Sequence, residues 1–199
     1  MVAEPGRAPF DKAWFNPSTR AWDRVQGFDR VVIMPVNTSY LMVTPRQRAD
    51  AQRMAAYMRE EFQNEFTKGG KYRVMLQPGG RTLKIELALV QLKPTNVPGN
   101  VIGTGAGVVV PGAKLIGSLL THGNIAFEAK LRNGGTGELL AEYADRQNDK
   151  LTLLSFRDYS ANAHSRRAIQ DWAKQVEELT STPASHKVPG AMRVTLNPF

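Results

Sequence analysis

The chain of 199 residues contains no cysteine. This absence excludes a disulfide scaffold, thiol catalysis and zinc or iron–sulfur sites with cysteine ligands. Histidine is scarce too: the three residues are His122, His164 and His186, and none lies four positions from another. Paired histidine ligands are therefore not predicted, and we expect neither a metal site nor a cofactor.

Long apolar runs are missing as well. The nearest approach is the segment 97–120, which contains Lys114 and is interrupted throughout by glycine and proline. Glycine and proline at this density oppose a helix, so a membrane span is not predicted. An apolar, glycine-rich loop is typical of a segment that a partner or a lipid surface covers, and we expect such a contact at 97–120.

The first residues, Met1–Gly6, lack the apolar stretch of a signal peptide. The chain is therefore expected either to be cytoplasmic or to begin after a signal that has been removed.

Motifs for nucleotide binding and nucleophilic catalysis are incomplete. In Gly103–Gly107 the third glycine follows the second by two positions instead of three, and extended residues follow in place of a capped helix. Lys114 lacks the neighbouring Ser or Thr of a P-loop, and Ser118 lacks the second glycine of a nucleophile elbow. The sequence therefore assigns no catalytic or cofactor-binding residue.

Basic side chains outnumber acidic ones by 26 to 18, for a net charge of +8. The excess is concentrated in residues 69–121, which contain one acidic residue and six basic ones: Lys71, Arg73, Arg81, Lys84, Lys93 and Lys114. Because they are spread out and not interleaved with aromatic residues, no specific nucleic-acid partner is expected. A weak binder of nucleic acid or of another anionic surface remains one hypothesis, beside plain solubility.

Hydrophobic periodicity predicts a single α/β (or α+β) domain with a mixed sheet of about five strands and two main helices. The β-branched run Val31–Val36 predicts a strand buried on both faces. Apolar residues at spacings of three and four predict a helix between a start at Thr44–Gln47 and a stop at Gly69-Gly70. A second stripe predicts another helix within Ala163–Leu179.

Further strands are expected over Tyr72–Leu76, over Thr82–Leu92 and on either side of the turn Asn133–Gly137. The predicted organisation is an N-terminal arm or tether over 1–27, an α/β domain over 28–182, and a C-terminal tail over 183–199. The aromatic residues Trp14, Phe15 and Trp22 are expected to anchor the arm onto the domain, or to form a partner-binding epitope.

Four aspartates are candidates for acid–base chemistry: Asp145, Asp149, Asp158 and Asp171. The pairs Asp145-Arg146 and Arg157-Asp158 are interpreted first as surface ion pairs or turn caps. The alternative hypothesis is a hydrolase whose site assembles from Asp145, Asp158 and His164.

Several segments in combination resemble a family of Gram-negative lipoproteins that is catalogued as a domain of unknown function. The matching stretches are Leu87–Asn96, Asn124–Arg132, Thr136–Arg146, Phe156–Tyr159, His164–Trp172, and Thr182-Pro183 with His186. The resemblance covers most of residues 28–199. More distantly, the order of elements is similar to the periplasmic lipoprotein domains of curli secretion and of penicillin-binding-protein activators.

The resemblance implies export, a periplasmic domain and a membrane anchor on an N-terminal lipidated cysteine, which these 199 residues do not contain. It implies no known reaction and no catalytic residue. The leading hypothesis is a non-catalytic, membrane-tethered binding or assembly module with an unknown, membrane-associated protein partner.

Overall fold

The structure, a computed structural model, describes residues 7–17, 25–41, 45–92, 125–147 and 163–190. Within these ranges it contains six strands and two long helices. In chain order they are β1 (Lys12–Phe15), β2 (Arg30–Ile33), α1 (Pro45–Gly69), β3 (Arg73–Met75), β4 (Thr82–Leu92), β5 (Ile125–Asn133), β6 (Leu139–Gln147) and α2 (Ala163–Ser181). The predicted α/β class with a mixed sheet and two main helices is confirmed.

The six strands form one sheet in the order β1-β6-β5-β4-β2-β3. In the run β1-β6-β5-β4, each strand pairs antiparallel with the next. The strand β2 runs parallel to both β4 and β3. Parallel neighbours need a crossover connection, and α1 supplies it between β2 and β3. The apolar residues of β2 are buried, as the apolar run predicted: Val31, Val32 and Ile33 are each at most 1% exposed.

The helix α1 begins at Pro45, where a fixed φ favours a first turn, and ends at Gly69. Gly70 follows with a φ of 74°, a left-handed conformation that ends helices and that glycine adopts at little cost. The predicted apolar stripe of α1 is buried along its whole length: Ala51, Met54, Ala55, Met58, Phe62 and Phe66.

The helix α2 packs beside α1 on the same side of the sheet. Gln170 Nε2 donates to Tyr57 Oη at 2.9 Å, and the Arg166 guanidinium lies 4.9 Å from the centre of the Tyr57 ring. Against the sheet, the Trp172 indole stacks on Phe127 with ring centres 4.3 Å apart. The main core therefore lies between the sheet and the two helices.

The sixth strand is a correction to the predicted count of five. Residues 12–15, from the segment interpreted as an arm or tether, pair with β6 and form one edge of the sheet. Phe15 from this strand is buried against Tyr143, with ring centres 5.8 Å apart. A strand of four residues is too short to give a detectable alternation, which explains why it was missed.

Part of the expected C-terminal tail also lies against the domain, because Val188 is 1% exposed and its N–H donates to Arg7 O at 3.2 Å. Within the described ranges, neither helix is both long and apolar enough to cross a bilayer. The glycine-rich segment 97–120 lies outside the described residues.

Candidate functional site

Asp145, a candidate acid–base residue, lies on β6 and points to the helix side of the sheet, where it is 5% exposed. Its Oδ2 accepts a hydrogen bond from Trp172 Nε1 at 2.7 Å, and its Oδ1 accepts one from Asp11 N at 3.2 Å. The interpretation of Asp145 as a surface group is therefore wrong. It shares the strand parity of Tyr143, so the alternation of β6 turns it towards the core.

Burial raises the pKa of the Asp145 carboxyl, because a charged carboxylate loses its hydration there. The hydrogen bond from Trp172 opposes this effect, while the negative charge of Asp11 adds to it. The carboxyl thus joins β6, α2 and the N-terminal segment. Its contacts are those of a structural polar group rather than of a group presented to a substrate.

The hydrolase hypothesis needs two further side chains. Asp158 lies outside the described residues, as does the side chain of His164 in the first turn of α2. The candidate Asp149 and the expected pair Arg157-Asp158 also fall outside. The convergence of the three residues therefore stays a prediction.

The remaining candidates have ordinary surface partners. Asp171 on α2 has a pKa raised by burial, an effect that the charges of Arg167 and Lys174 oppose. His186 Nε2 lies 2.8 Å from Glu178 Oε1. Within the described parts of the chain, no group of three or more histidine and acidic side chains is placed to hold a metal ion.

The C-terminal end of α2 collects donors from distant parts of the chain. A helix ends with unsatisfied carbonyls and a partial negative charge, and the last turn of α2 has no basic residue of its own. Lys71 Nζ and Tyr72 Oη donate to Thr180 O at 2.7 and 2.5 Å, and Arg7 Nη2 donates to Leu179 O at 3.1 Å. These residues therefore cap the helix.

Burial lowers the pKa of Lys71 to about 8, and the charge of Glu177 opposes that shift. Its ammonium also donates to Gln26 Oε1 at 3.0 Å. The basic residue that the sequence singled out at position 71 is therefore held by the fold rather than presented to an anionic partner.

A second surface lies on the opposite side of the sheet from the helices, and we call it the outer face. It consists of the side chains that alternate with the core-facing residues of β4, β5 and β6. They are Lys84, Glu86, Ala88, Val90, Ala126, Glu128, Lys130, Arg132, Glu142 and Ala144. The alternation of the sequence predicts which side chains share this face, but it indicates no binding role for them.

Ion pairs within β4 and between neighbouring strands organise the middle of the outer face. Glu86 lies between Lys84 and Arg132, with N···O distances of 2.6 and 3.0 Å, and Lys130 Nζ is 3.2 Å from Glu142 Oε1. Burial alone would raise the pKa of Glu86, but hydrogen bonds from both cations outweigh it and lower the pKa. Opposite charges on neighbouring strands stabilise the sheet, so this region has a structural role of its own.

An apolar strip borders these ion pairs and consists of Tyr40, Ala88, Val90 and Ala126. Tyr40 comes from the loop after β2, so strand periodicity does not reveal its position. Glu128 lies beside this strip, opposite Ala88 on β4 and Ala144 on β6. Burial raises the pKa of Glu128, while Lys130 opposes the shift and Glu142 adds to it.

Three of the six basic residues between 69 and 121 reach the surface of the described chain. Arg73 lies on the edge strand β3, Arg81 precedes β4, and Lys84 belongs to the ion pairs of the outer face. Lys93 and Lys114 lie outside the described residues.

Among solved structures, two crystal forms of the PelC dodecamer from Paraburkholderia phytofirmans, one of them a variant, are similar to this chain. Both are 10% identical; the matches cover 78% and 86% of this chain and 91% and 97% of those chains, with TM-scores of 0.45 and 0.44. At this distance the likeness carries neither a function nor an oligomeric state to this chain.

A comparison of the sequence with curated proteins gave no match. A family described as "Protein of unknown function (DUF3313)" matches residues 7–176, which is most of the chain. The resemblance to a domain family of unknown function is therefore confirmed, whereas lipid anchoring and the likeness to curli-secretion lipoproteins stay predictions. This chain belongs to the DUF3313 family.

Proposed function

We propose that this protein is a non-catalytic binding or assembly module of the periplasm, tethered to a membrane through a lipid anchor. The location and the anchor rest on the resemblance to Gram-negative lipoproteins. The binding role rests on one observation, the apolar strip of Tyr40, Ala88, Val90 and Ala126 beside Glu128 on the outer face.

Ala88, Val90 and Ala126 are at most 9% exposed, so the half-buried side chain of Tyr40 is the accessible part of the strip. An aromatic side chain with charged neighbours has the composition of a protein interface, whereas small ligands are held in concave pockets. The carboxyl of Glu128 is partly desolvated, and no ion pair involving it is formed within the described part of the chain. A partner that placed an apolar side chain against Tyr40 and a basic side chain against Glu128 would complete both interactions. We therefore propose a protein partner with that pair of side chains.

The alternative of a hydrolase gains no support from Asp145. Its two oxygens accept hydrogen bonds from Trp172, from the backbone of Asp11 and from Gln147 Nε2, and the residue is 5% exposed. A catalytic acid or base must reach a substrate proton, and a carboxyl enclosed in this way does not.

The segment 97–120 is proposed as a second contact with lipid or with the partner, on the basis of its apolar, glycine-rich composition. Deleting it should weaken association with membranes or partner while the domain keeps its circular dichroism spectrum and melting transition. Unchanged association after the deletion would remove this role.

The test of the main proposal is affinity purification of the full gene product, with its own N-terminus, from solubilised membranes of the native host. Tyr40→Asp introduces a charge onto the apolar strip, whereas Ser39→Asp introduces the same charge at the exposed neighbouring position. We expect one stoichiometric partner with the unaltered protein and with Ser39→Asp, and its loss with Tyr40→Asp.

Two results would contradict the proposal. Recovery of the lipidated protein alone would remove the binding role and leave only the membrane location. Equal loss of the partner in both variants would show that the outer face is not the contact surface.

A further inference from the structure

Among the described strands, β1 pairs with β6 alone and therefore lies at the edge of the sheet. Asn16 N donates to Leu140 O at 3.0 Å, and these two residues continue the register of the pair. In an antiparallel pair, residues that exchange hydrogen bonds alternate with residues whose N–H and C=O point away from the partner strand. Trp14 is therefore bonded to β6, whereas the N–H and C=O of Ala13 point to the side where a further strand would lie.

The chain after α2 runs along the segment that precedes β1. Arg7 Nε donates to His186 O at 3.0 Å, and Val188 N donates to Arg7 O at 3.2 Å. Two residues further along both segments, a Cβ on Gly190 would lie 4.0 Å from Pro9 Cβ. The two segments therefore lie side by side and run in the same direction, towards β1.

Contacts with the domain hold this path in place. Val188 is 1% exposed and belongs to the main core, and Gln175 Nε2 of α2 donates to Pro189 O at 3.4 Å. The described chain thus reaches Gly190 at a point beside Pro9, shortly before β1 begins at Lys12. The next residues of the chain therefore start close to the edge of the sheet.

Residues 191–199 lie outside the described ranges, and their sequence has the pattern of a strand. Apolar residues alternate with polar ones over Met192, Arg193, Val194, Thr195 and Leu196. Such alternation, with two β-branched residues in the middle, is typical of a strand, and the following Asn197-Pro198 is a stop signal. Five extended residues span about 17 Å, which is enough to cover the whole of β1.

The short connection to the domain decides which strand reaches this edge. Extended segments bind to sheet edges by continuing the backbone hydrogen bonds, and an open edge also pairs with other copies of the chain. A segment that starts beside Pro9 has an effective concentration on the order of millimolar at β1. A second copy at roughly micromolar concentration in solution competes poorly with such a tethered segment.

We propose that residues 192–196 bind the outer edge of β1 as a parallel strand and extend the described sheet. Pro9 has no N–H, so the pairing that begins at Val188 and Arg7 is interrupted there and resumes at β1. The same register, continued by six residues on both segments, makes Val194 N–H the donor to Ala13 O. The chain then closes this edge with its own C-terminal segment, and the inference does not depend on the proposed function.

The test is amide hydrogen exchange in the full 199-residue chain, measured for each residue by NMR spectroscopy. We expect the Ala13 amide to be protected, and its exchange to become faster by about tenfold or more when the chain stops at Gly190. The amide of Trp14 is the internal control. Because it is bonded to β6, its exchange should change by less than about twofold.

Two proline variants of the full chain make the same test without a truncation. Val194→Pro removes the N–H that donates to Ala13 O, and it should speed the exchange of the Ala13 amide as the truncation does. The matched control is Asn197→Pro, which makes the same kind of change beyond the end of β1. It should leave the exchange of Ala13 unaltered.

Four results would overturn the proposal. An unprotected Ala13 amide in the full chain would show that no strand covers this edge, and protection that survives both the truncation and Val194→Pro would show a different occupant. Protection that falls on dilution of the full chain would assign the edge to a second copy. Equally faster exchange at Trp14 would show that the segment supports β1 as a whole instead of bonding to its outer edge.

Discussion

Burial, which the hydrogen bond from Trp172 opposes, decides how the Asp145 carboxyl titrates. Burial raises the pKa of Asp145 above that of an exposed aspartate, so the folded protein binds this proton more tightly than the unfolded chain does. The contribution of this group to stability is then largest at a pH below the unfolded pKa of about 3.9 and falls as the pH rises through the folded pKa.

Asp145→Asn removes this titration. As the pH falls from 7 towards about 4, the unaltered protein should gain free energy of unfolding relative to the variant, because only its carboxyl takes up a proton. Urea denaturation across that pH range measures the difference. A relative loss in the unaltered protein would show that the hydrogen bonds outweigh burial.

Trp172→Phe is the companion variant. It removes the donor that stabilises the charged carboxylate, so the pH dependence should become steeper, and the free energy of unfolding at neutral pH should fall by about 1–3 kcal/mol.

The turn between β5 and β6 is the element whose geometry depends most directly on one residue. Gly137 has a φ of 76°, and its N–H donates to Asn133 O at 2.8 Å. An added Cβ would meet no atom within 4 Å, so the cost of a substitution there comes from the backbone alone.

Gly137→Ala should therefore lower the free energy of unfolding by about 1 kcal/mol. Gly135→Ala is the control, because Gly135 has no positive φ and its added Cβ would meet Asn133 Oδ1 at an ordinary distance of 3.4 Å. Thermal denaturation of both variants separates the two cases. A smaller effect at Gly137 than at Gly135 would mean that the turn relaxes into another type.

The elements that were predicted well are those with a strong repeating pattern. The strand β4 has the predicted bounds, Thr82–Leu92, because the alternation over Leu83–Leu89 fixes its register up to the shift between Leu89 and Gln91. The helix α1 ends at the predicted glycine. By contrast, β3 is shorter than Tyr72–Leu76, since Tyr72 turns inward to α2 and Leu76 projects into solvent.

The candidate site was less predictable than the fold. The parity of Asp145 was visible in β6, but its partners Trp172 and Asp11 come from segments that only the tertiary structure brings together. The position of Tyr40 on the apolar strip depends on a loop path that has no periodicity. Arg30 is likewise distant in sequence from Arg73 and Arg81, and it lies beside them because β2 runs parallel and in register with β3 and β4.

At the scale of the whole molecule, the N-terminal segment is part of the cooperative unit. Phe10 contacts both Phe127 and Tyr143, with ring centres 5.7 and 5.1 Å apart, and it is 8% exposed. Its side chain thus covers Phe127 of β5 and Tyr143 of β6 on the core side of the sheet.

Phe10→Ala should lower the free energy of unfolding by about 3 kcal/mol, because it removes a buried ring and leaves a cavity. Leu76→Ala, at an 86% exposed position, should change it by less than about 0.5 kcal/mol. Urea denaturation measures both. Similar values for the two variants would mean that the N-terminal segment detaches without cost to the rest of the fold.

The contact of Arg7 with the end of α2 has a consequence for how the chain matures. The guanidinium binds Leu179 O, 172 residues further along, and β1 pairs with a strand that is made late in synthesis. The segment of Arg7 and β1 therefore cannot form its native contacts until β6 and α2 have been synthesised. Native contacts of such long sequence separation slow folding. Until then Phe10 and Phe15 stay accessible to other chains, so a holding chaperone that binds this segment would protect the protein from aggregation.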